Sequence, residues 1–123
     1  MSRSRIIRNV APLLGLATAM LVSGQEVRAD VSPVFGAGTA ACGYWLQHSA
    51  KNDVNHMILE AWIAGYLTAD NQQRADSHAS FVGLTTDESG RSAWISQYCQ
   101  GHPLDNMYSA TWALVQELQK AGR

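Results

Sequence analysis

Residues 93–103 read AWISQYCQGHP, with Cys99 and His102 three positions apart. A thiol and an imidazole at that spacing meet on a continuous helix and could act as nucleophile and general base. They could also supply half of a metal site, or Cys99 could be one end of a disulfide. Gly101 and Pro103 predict that the helix ends there, which separates the pair, and no glycine-rich nucleophile turn surrounds Cys99. A zinc-type site needs three or four converging ligands. His48, His56, His78 and His102 are scattered, without a His-x-x-x-His or Cys-x-x-Cys pair, and read as exposed or capping residues. Asp87 and Glu88 are adjacent at an expected helix start, where negative charge suits the helix dipole. With no phosphate-cradling loop or Ser/His/Asp set, the sequence predicts neither catalysis nor a cofactor nor a metal.

The disulfide reading depends on the compartment. Arg3, Arg5 and Arg8 precede the apolar run 10–22, and a polar stretch then ends in Val27-Arg28-Ala29. This is the plan of a Sec signal peptide over residues 1–29, with export to the periplasm. The run falls well short of the roughly 20 residues that cross a bilayer, so no stable membrane insertion is expected after its removal. The remaining 94 residues, 30–123, form one domain that keeps 5 basic and 9 acidic residues, a formal charge of −4. Such a balance argues against nucleic acid and anionic membranes as partners. Below about pH 3 the carboxylates are protonated and the 4 histidines charged, so the same chain swings to +9. A small bundle held by a covalent tie would loosen under that self-repulsion.

Cys42 and Cys99 are the only cysteines. In an oxidising compartment an even count reads first as a bridge, and two cysteines allow one intramolecular pairing. The elements around them read as all-α, a small bundle of about four short helices closed by that disulfide. The first is expected over about 39–48, with Cys42, Trp45 and Leu46 on one face. The second starts at Asn52, Asp53 or Asn55 and runs to about Ala69, burying Ile58, Ala61, Trp62, Gly65 and Tyr66, with a neighbour packed closely on Gly65. Residues 70–86 read as a long polar loop pinned by Phe81 and Leu84. A third helix starts within residues 85–88 and ends near Cys99. Pro103 opens the fourth, capped by His102 or Asp105, with Leu104, Met107, Tyr108, Thr111, Val115 and Leu118 on its buried stripe. The frame A-W-I-x-x-Y recurs at residues 61–66 and 93–98. Trp62 with Tyr66, Trp94 with Tyr98 and Tyr108 with Trp112 each place two rings four apart, where they stack along a helix. With Trp45 these rings are either the core of the bundle or an apolar groove for a partner.

The order of these features resembles the HdeA/HdeB-type small periplasmic proteins. The features are a signal peptide, Cys42 opening a helix, the Trp62-x-x-Gly65-Tyr66 helix, Cys99 closing a helix before Pro103, and a last amphipathic helix. The resemblance spans about residues 40–120. It implies a Cys42–Cys99 disulfide, no catalytic residues and binding of unfolding client proteins in acid or envelope stress. The segment after Ala69 is longer than in that family, and the lysine-rich tail is missing. The chain also resembles, more weakly, Tai-type immunity proteins, which block a peptidoglycan-cleaving toxin; loop 70–86 would be the plug. An envelope accessory protein with neither activity is the third expectation.

Overall fold

Three short polar side chains start the longer helices. In the computed structural model, which describes residues 33–122, Asp53 accepts from the backbone N–H groups of Asn55 and His56 at 3.0 and 3.2 Å. Asp87 accepts from Gly90 N at 2.7 Å and Asn106 from Ser109 N at 2.9 Å. Each carboxylate or amide satisfies donors that a first helical turn otherwise leaves unpaired. The helices are α1 (Cys42–Ser49), α2 (Val54–Asp76), α3 (Glu88–Gly101) and α4 (Met107–Lys120), preceded by a 3₁₀ turn, Gly36–Thr39. The architecture is all-α, and the Cys42–Cys99 disulfide ties the start of α1 to the end of α3 across 57 positions. The signal-peptide reading of residues 1–29 lies outside the described residues. None of the described helices is long and apolar enough to cross a membrane.

The core forms where four stripes meet. Cys42 and Trp45 of α1, Ile95 and Cys99 of α3, and Met107 and Ala110 of α4 are fully enclosed. Leu59, Ile63 and Leu67 come in from α2, and Leu114, Val115 and Leu118 extend the stripe of α4. The indole N–H of Trp45 donates to Ser96 Oγ at 2.9 Å, so the largest core side chain is also satisfied. An isolated antiparallel bridge joins Ala41 to Asn106. Through it Cys42 N donates to Asp105 O and Met107 N to Ala40 O, both at 2.8 Å. That bridge corrects the first helix boundary. Ala40 and Ala41 are held extended by it, so α1 cannot begin before Cys42.

Several other expectations are also corrected. Helix α2 buries His56, Leu59, Ile63 and Leu67, a stripe turned from the expected one. Ile58 and Ala61 face solvent, Trp62 and Tyr66 are half-buried at the boundary, and open space lies over Gly65. Helix α2 packs chiefly on α1, α4 and the 3₁₀ turn; Leu59, Ile63 and Leu67 enter the core, while Trp62 lies against Gly38 of that turn and Tyr66 against Tyr108. Helix α2 also runs two turns past Ala69. There Arg74 pairs with Asp70, and Asn71 clamps Val82, accepting from its N–H and donating to its C=O, both at 2.9 Å. That clamp turns Val82 into the core, so Val82 pins the shortened 77–87 loop, and Phe81 and Leu84 are exposed. Pro103 stays in the turn before α4, Leu104 is 98% exposed, and the cap is Asn106, because Tyr98 engages Asp105.

Candidate functional site

Six of the seven rings singled out in the sequence divide into three environments, and Trp112 is exposed. Trp45 is core. Trp94 and Tyr98 stack on α3 with centroids 5.7 Å apart, and His102 continues the ladder 4.2 Å from Tyr98. His102 Nδ1 lies 2.9 Å from the Tyr98 carbonyl, an acceptor, so that nitrogen carries the proton. This gives His102 a role that its sequence context leaves open: it covers the last turn of α3 beside the disulfide. The Tyr98 hydroxyl donates to Asp105 Oδ2 at 2.6 Å, and this bond to a carboxylate pushes its pKa up to about 12.

The third environment is a groove. Trp62 and Tyr66 lie 5.6 Å apart on α2, and Tyr108 of α4 meets Tyr66 edge-on at 5.8 Å. Tyr108 does not stack on Trp112, which is 52% exposed; the turn of α4 aims Tyr108 at α2 instead. Pro33, Val34 and Phe35 complete a groove of about 390 Å³ with these three rings. Burial, then the neighbouring Tyr108, raises the pKa of the Tyr66 hydroxyl. Gly38 passes under Trp62 so closely that a Cβ there would lie 2.2 Å from the indole Cζ2. Only a residue without a side chain allows this approach. A second cleft, of about 400 Å³, lies between the 77–87 loop, α3 and α4, and Arg91, Trp94 and Glu117 are among its lining residues. Arg91 is committed there to Thr86, donating to its carbonyl at 2.8 Å.

A polar network beneath α1 corrects the reading of the histidines. His48 and His56 are 8% and 7% exposed, and each is partnered. His48 Nδ1 lies 2.7 Å from Asp53 Oδ2, and this bond holds the Asp53 carboxyl below its ordinary value. His56 Nδ1 lies 3.2 Å from Asn52 Oδ1 and donates to it, leaving Nε2 to face Ser92 Oγ at 3.2 Å and Glu60 Oε1 at 3.4 Å. Neutral His56 accepts there from Ser92, whereas the cation can donate toward Glu60. Across the α2–α3 contact, Glu60 raises the pKa of Glu88 by sharing a hydrogen bond and by like-charge repulsion. Sequence spacing missed this network because its members lie on three helices. The Asp53 cap was the one visible signal.

Among the described residues both cysteines are bonded to each other, and no cluster of three or more histidine, cysteine or acidic residues has metal-site geometry. The Cys99 sulfur is therefore not available as a thiol. Fold and site define a small disulfide-closed helical bundle that carries an aromatic groove and a buried histidine–carboxylate network. Comparison with family models, curated proteins and solved structures returns no match.

Proposed function

We propose that the chain is an exported protein-binding protein of the periplasm, an acid- or envelope-stress chaperone of HdeA/HdeB type. The observation that carries this reading is large apolar area offered to solvent on a covalently tied bundle. Phe35 is 75% exposed, and Val54, Met57, Ile58, Leu84 and Trp112 are all more than half exposed. Such surface binds unfolding chains by burying their apolar side chains, at about 25 cal/mol per Å². The acid step is supported by the charge swing and by the His48–Asp53 pair. Because the folded state lowers the pKa of Asp53, its contribution is complete above the ordinary value of 3.8 and is lost as pH falls through the folded value. The N-cap of α2 then weakens while the disulfide still limits expansion. The test measures dye binding to exposed apolar surface and suppression of client aggregation between pH 7 and 2. Flat dye binding with no protection would refute the reading.

A second reading, an immunity-type inhibitor of a peptidoglycan-cleaving toxin, draws on the 77–87 loop. Phe81 and Leu84 project from it while Asn71 clamps its base, the form a rigid plug takes. A tight neutral-pH complex with a cell-wall hydrolase in a pull-down would favour it. Absence of both binding modes would leave the accessory envelope role.

A further inference from the structure

Helix α2 keeps its charges on the inside and apolar residues on the outside. Its titratable side chains as far as Arg74 are turned toward the bundle, where His56 lies against Glu60 and Arg74 pairs with Asp70. None of these four side chains is more than 23% exposed. The outward half carries no formal charge from Val54 to Ala69. Val54, Met57 and Ile58 open it at 65%, 63% and 55% exposure, and Ala61, Ala64, Gly65 and Thr68 continue the same exposed face. A helix that is apolar on every side is normally covered on every side. Here α1, α4 and the 3₁₀ turn cover the inner half. Among the described residues nothing covers the outer half, and nothing lies within 4 Å of a Cβ added to Gly65. A glycine in mid-helix weakens the helix and is compensated where another backbone approaches it closely.

The outward face fits a second copy of itself. Its first turns are bulky, with Val54, Met57 and Ile58, and the turns that follow are shallow, with Ala61, Ala64, Gly65 and Thr68. In an antiparallel pair about a two-fold axis at Ala61, Val54 meets Thr68, Met57 meets Gly65 and Ile58 meets Ala64. The bulky end of each copy then fills the shallow end of the other, as an isologous contact requires. No charge is buried by this pairing. Residues 30–123 carry a formal charge of −4, so two copies repel least where neither presents a charge. From Val54 to Thr68 the face is about 21 Å long and one helix, about 10 Å, wide. It therefore covers a few hundred Å² per copy, less than the about 800 Å² of a standard interface. Full-size interfaces start at micromolar affinity, so this smaller one should half-form only above about 10 μM. We propose that the outward face of α2 is a homodimer contact, in which two copies pair antiparallel through residues 54–68 about Ala61. The pairing does not rest on the chaperone reading, and because it is weak it leaves Val54, Met57 and Ile58 free in dilute solution.

The test is sedimentation velocity at pH 7 from about 5 μM to about 1 mM, a span set by the small size of the contact. The mass of the wild-type protein should rise toward twice that of one chain. Ile58→Lys and Ala64→Glu, both at exposed positions, should each weaken the dimer at least tenfold by placing an unpaired charge in the contact. Mixed in equal amounts, the two variants should recover a dimer at least as tight as wild type, because position 58 of one copy meets position 64 of the other. A wild type that stays monomeric at the highest concentration overturns the proposal. So does a variant that dimerises like wild type, or a mixture that stays monomeric. Circular dichroism checks that each variant is folded, and should one not fold, the wild-type dilution series and the other variant decide. Client protection measured in dilute solution separates the two ideas. A dimer without protection defeats the chaperone alone, and protection by a chain that is monomeric at every concentration defeats the dimer alone, the face then belonging to the client.

Discussion

Two glycine-to-alanine substitutions should have opposite signs, for reasons readable atom by atom. A Cβ on Gly38 would lie 2.2 Å from Trp62 Cζ2, 2.7 Å from Cε2 and 2.7 Å from Val34 Cγ1. Non-bonded carbons settle at about 3.5–4.0 Å, so the indole must retreat by about an ångström. That motion stretches the 3.1 Å bond from Trp62 Nε1 to Phe35 O. Overpacking costs about 1–3 kcal/mol, and the solvent-exposed hydrogen bond adds at most about 1. Alanine restricts the unfolded chain and returns about 0.4–1 kcal/mol. Gly38→Ala should therefore destabilise by about 1–2 kcal/mol. Gly65 lies in mid-helix with nothing within 4 Å of an added Cβ. Gly65→Ala should stabilise by about 0.8–1 kcal/mol, the helix-propensity difference alone. For a domain of this size about 1 kcal/mol corresponds to a 4–8 °C change in Tm. Circular dichroism melts should thus place the two variants on either side of wild type. The Trp62 indole resonance should shift in Gly38→Ala only. A Gly38→Ala protein melting at or above wild type would refute the close approach of Gly38 to Trp62, and a Gly65→Ala protein that loses stability would refute the open space over Gly65.

The disulfide closes a loop of 57 positions, so replacing both cysteines by alanine should cost about 4 kcal/mol on the chain-entropy account, read by urea denaturation. A loss below about 1 kcal/mol would count against it. Tyr98→Phe should cost about 1 kcal/mol, since the lost bond is to a carboxylate but is only part-buried. The stabilisation from this bond is complete below the tyrosine's ordinary 10.0 and is lost as pH rises through about 12. In Asp105→Asn, ultraviolet titration should show the tyrosine ionising closer to 10. Glu88 has the opposite sign from Asp53. Its folded pKa is raised, so repulsion by Glu60 weakens the fold above that value and is relieved as acid protonates the pair. Glu88→Gln should raise Tm at pH 7 and make no difference near pH 3; Asp53→Asn should lower Tm at pH 7 and make little difference at pH 2.

How much of this was legible in the chain depends on how far each signal reaches. Caps are local: Asp53 and Asp87 sit two or three residues from the donors they satisfy, so the starts of α2 and α3 could be read directly. The cap of α4 was missed because Asp105, an equally good candidate, is drawn to Tyr98 from another helix. The polar stretch after Ala69 read as loop because its helix is stabilised from outside, by Val82 clamped on Asn71 and by Arg74 reaching Gln119. The seven rings chosen from the sequence include one, Trp112, that is more than half exposed. Their separation into core, ladder and groove was not visible, because α2 offers two neighbouring apolar stripes.

The sequence by itself determined the all-α class and the cysteine pair. Periodicity, capping residues and an even thiol count act within a helix or through simple pairing. Tertiary structure alone decided which stripe of α2 turns inward, that His48 and His56 are buried against partners, and that Gly38 must lack a side chain beneath Trp62. These depend on atoms 5 to 36 positions apart meeting at van der Waals or hydrogen-bond distance, as in the His48–Asp53 and His56–Ser92 pairs. A helical period specifies which residues share a face, but packing against other helices selects the face that is buried.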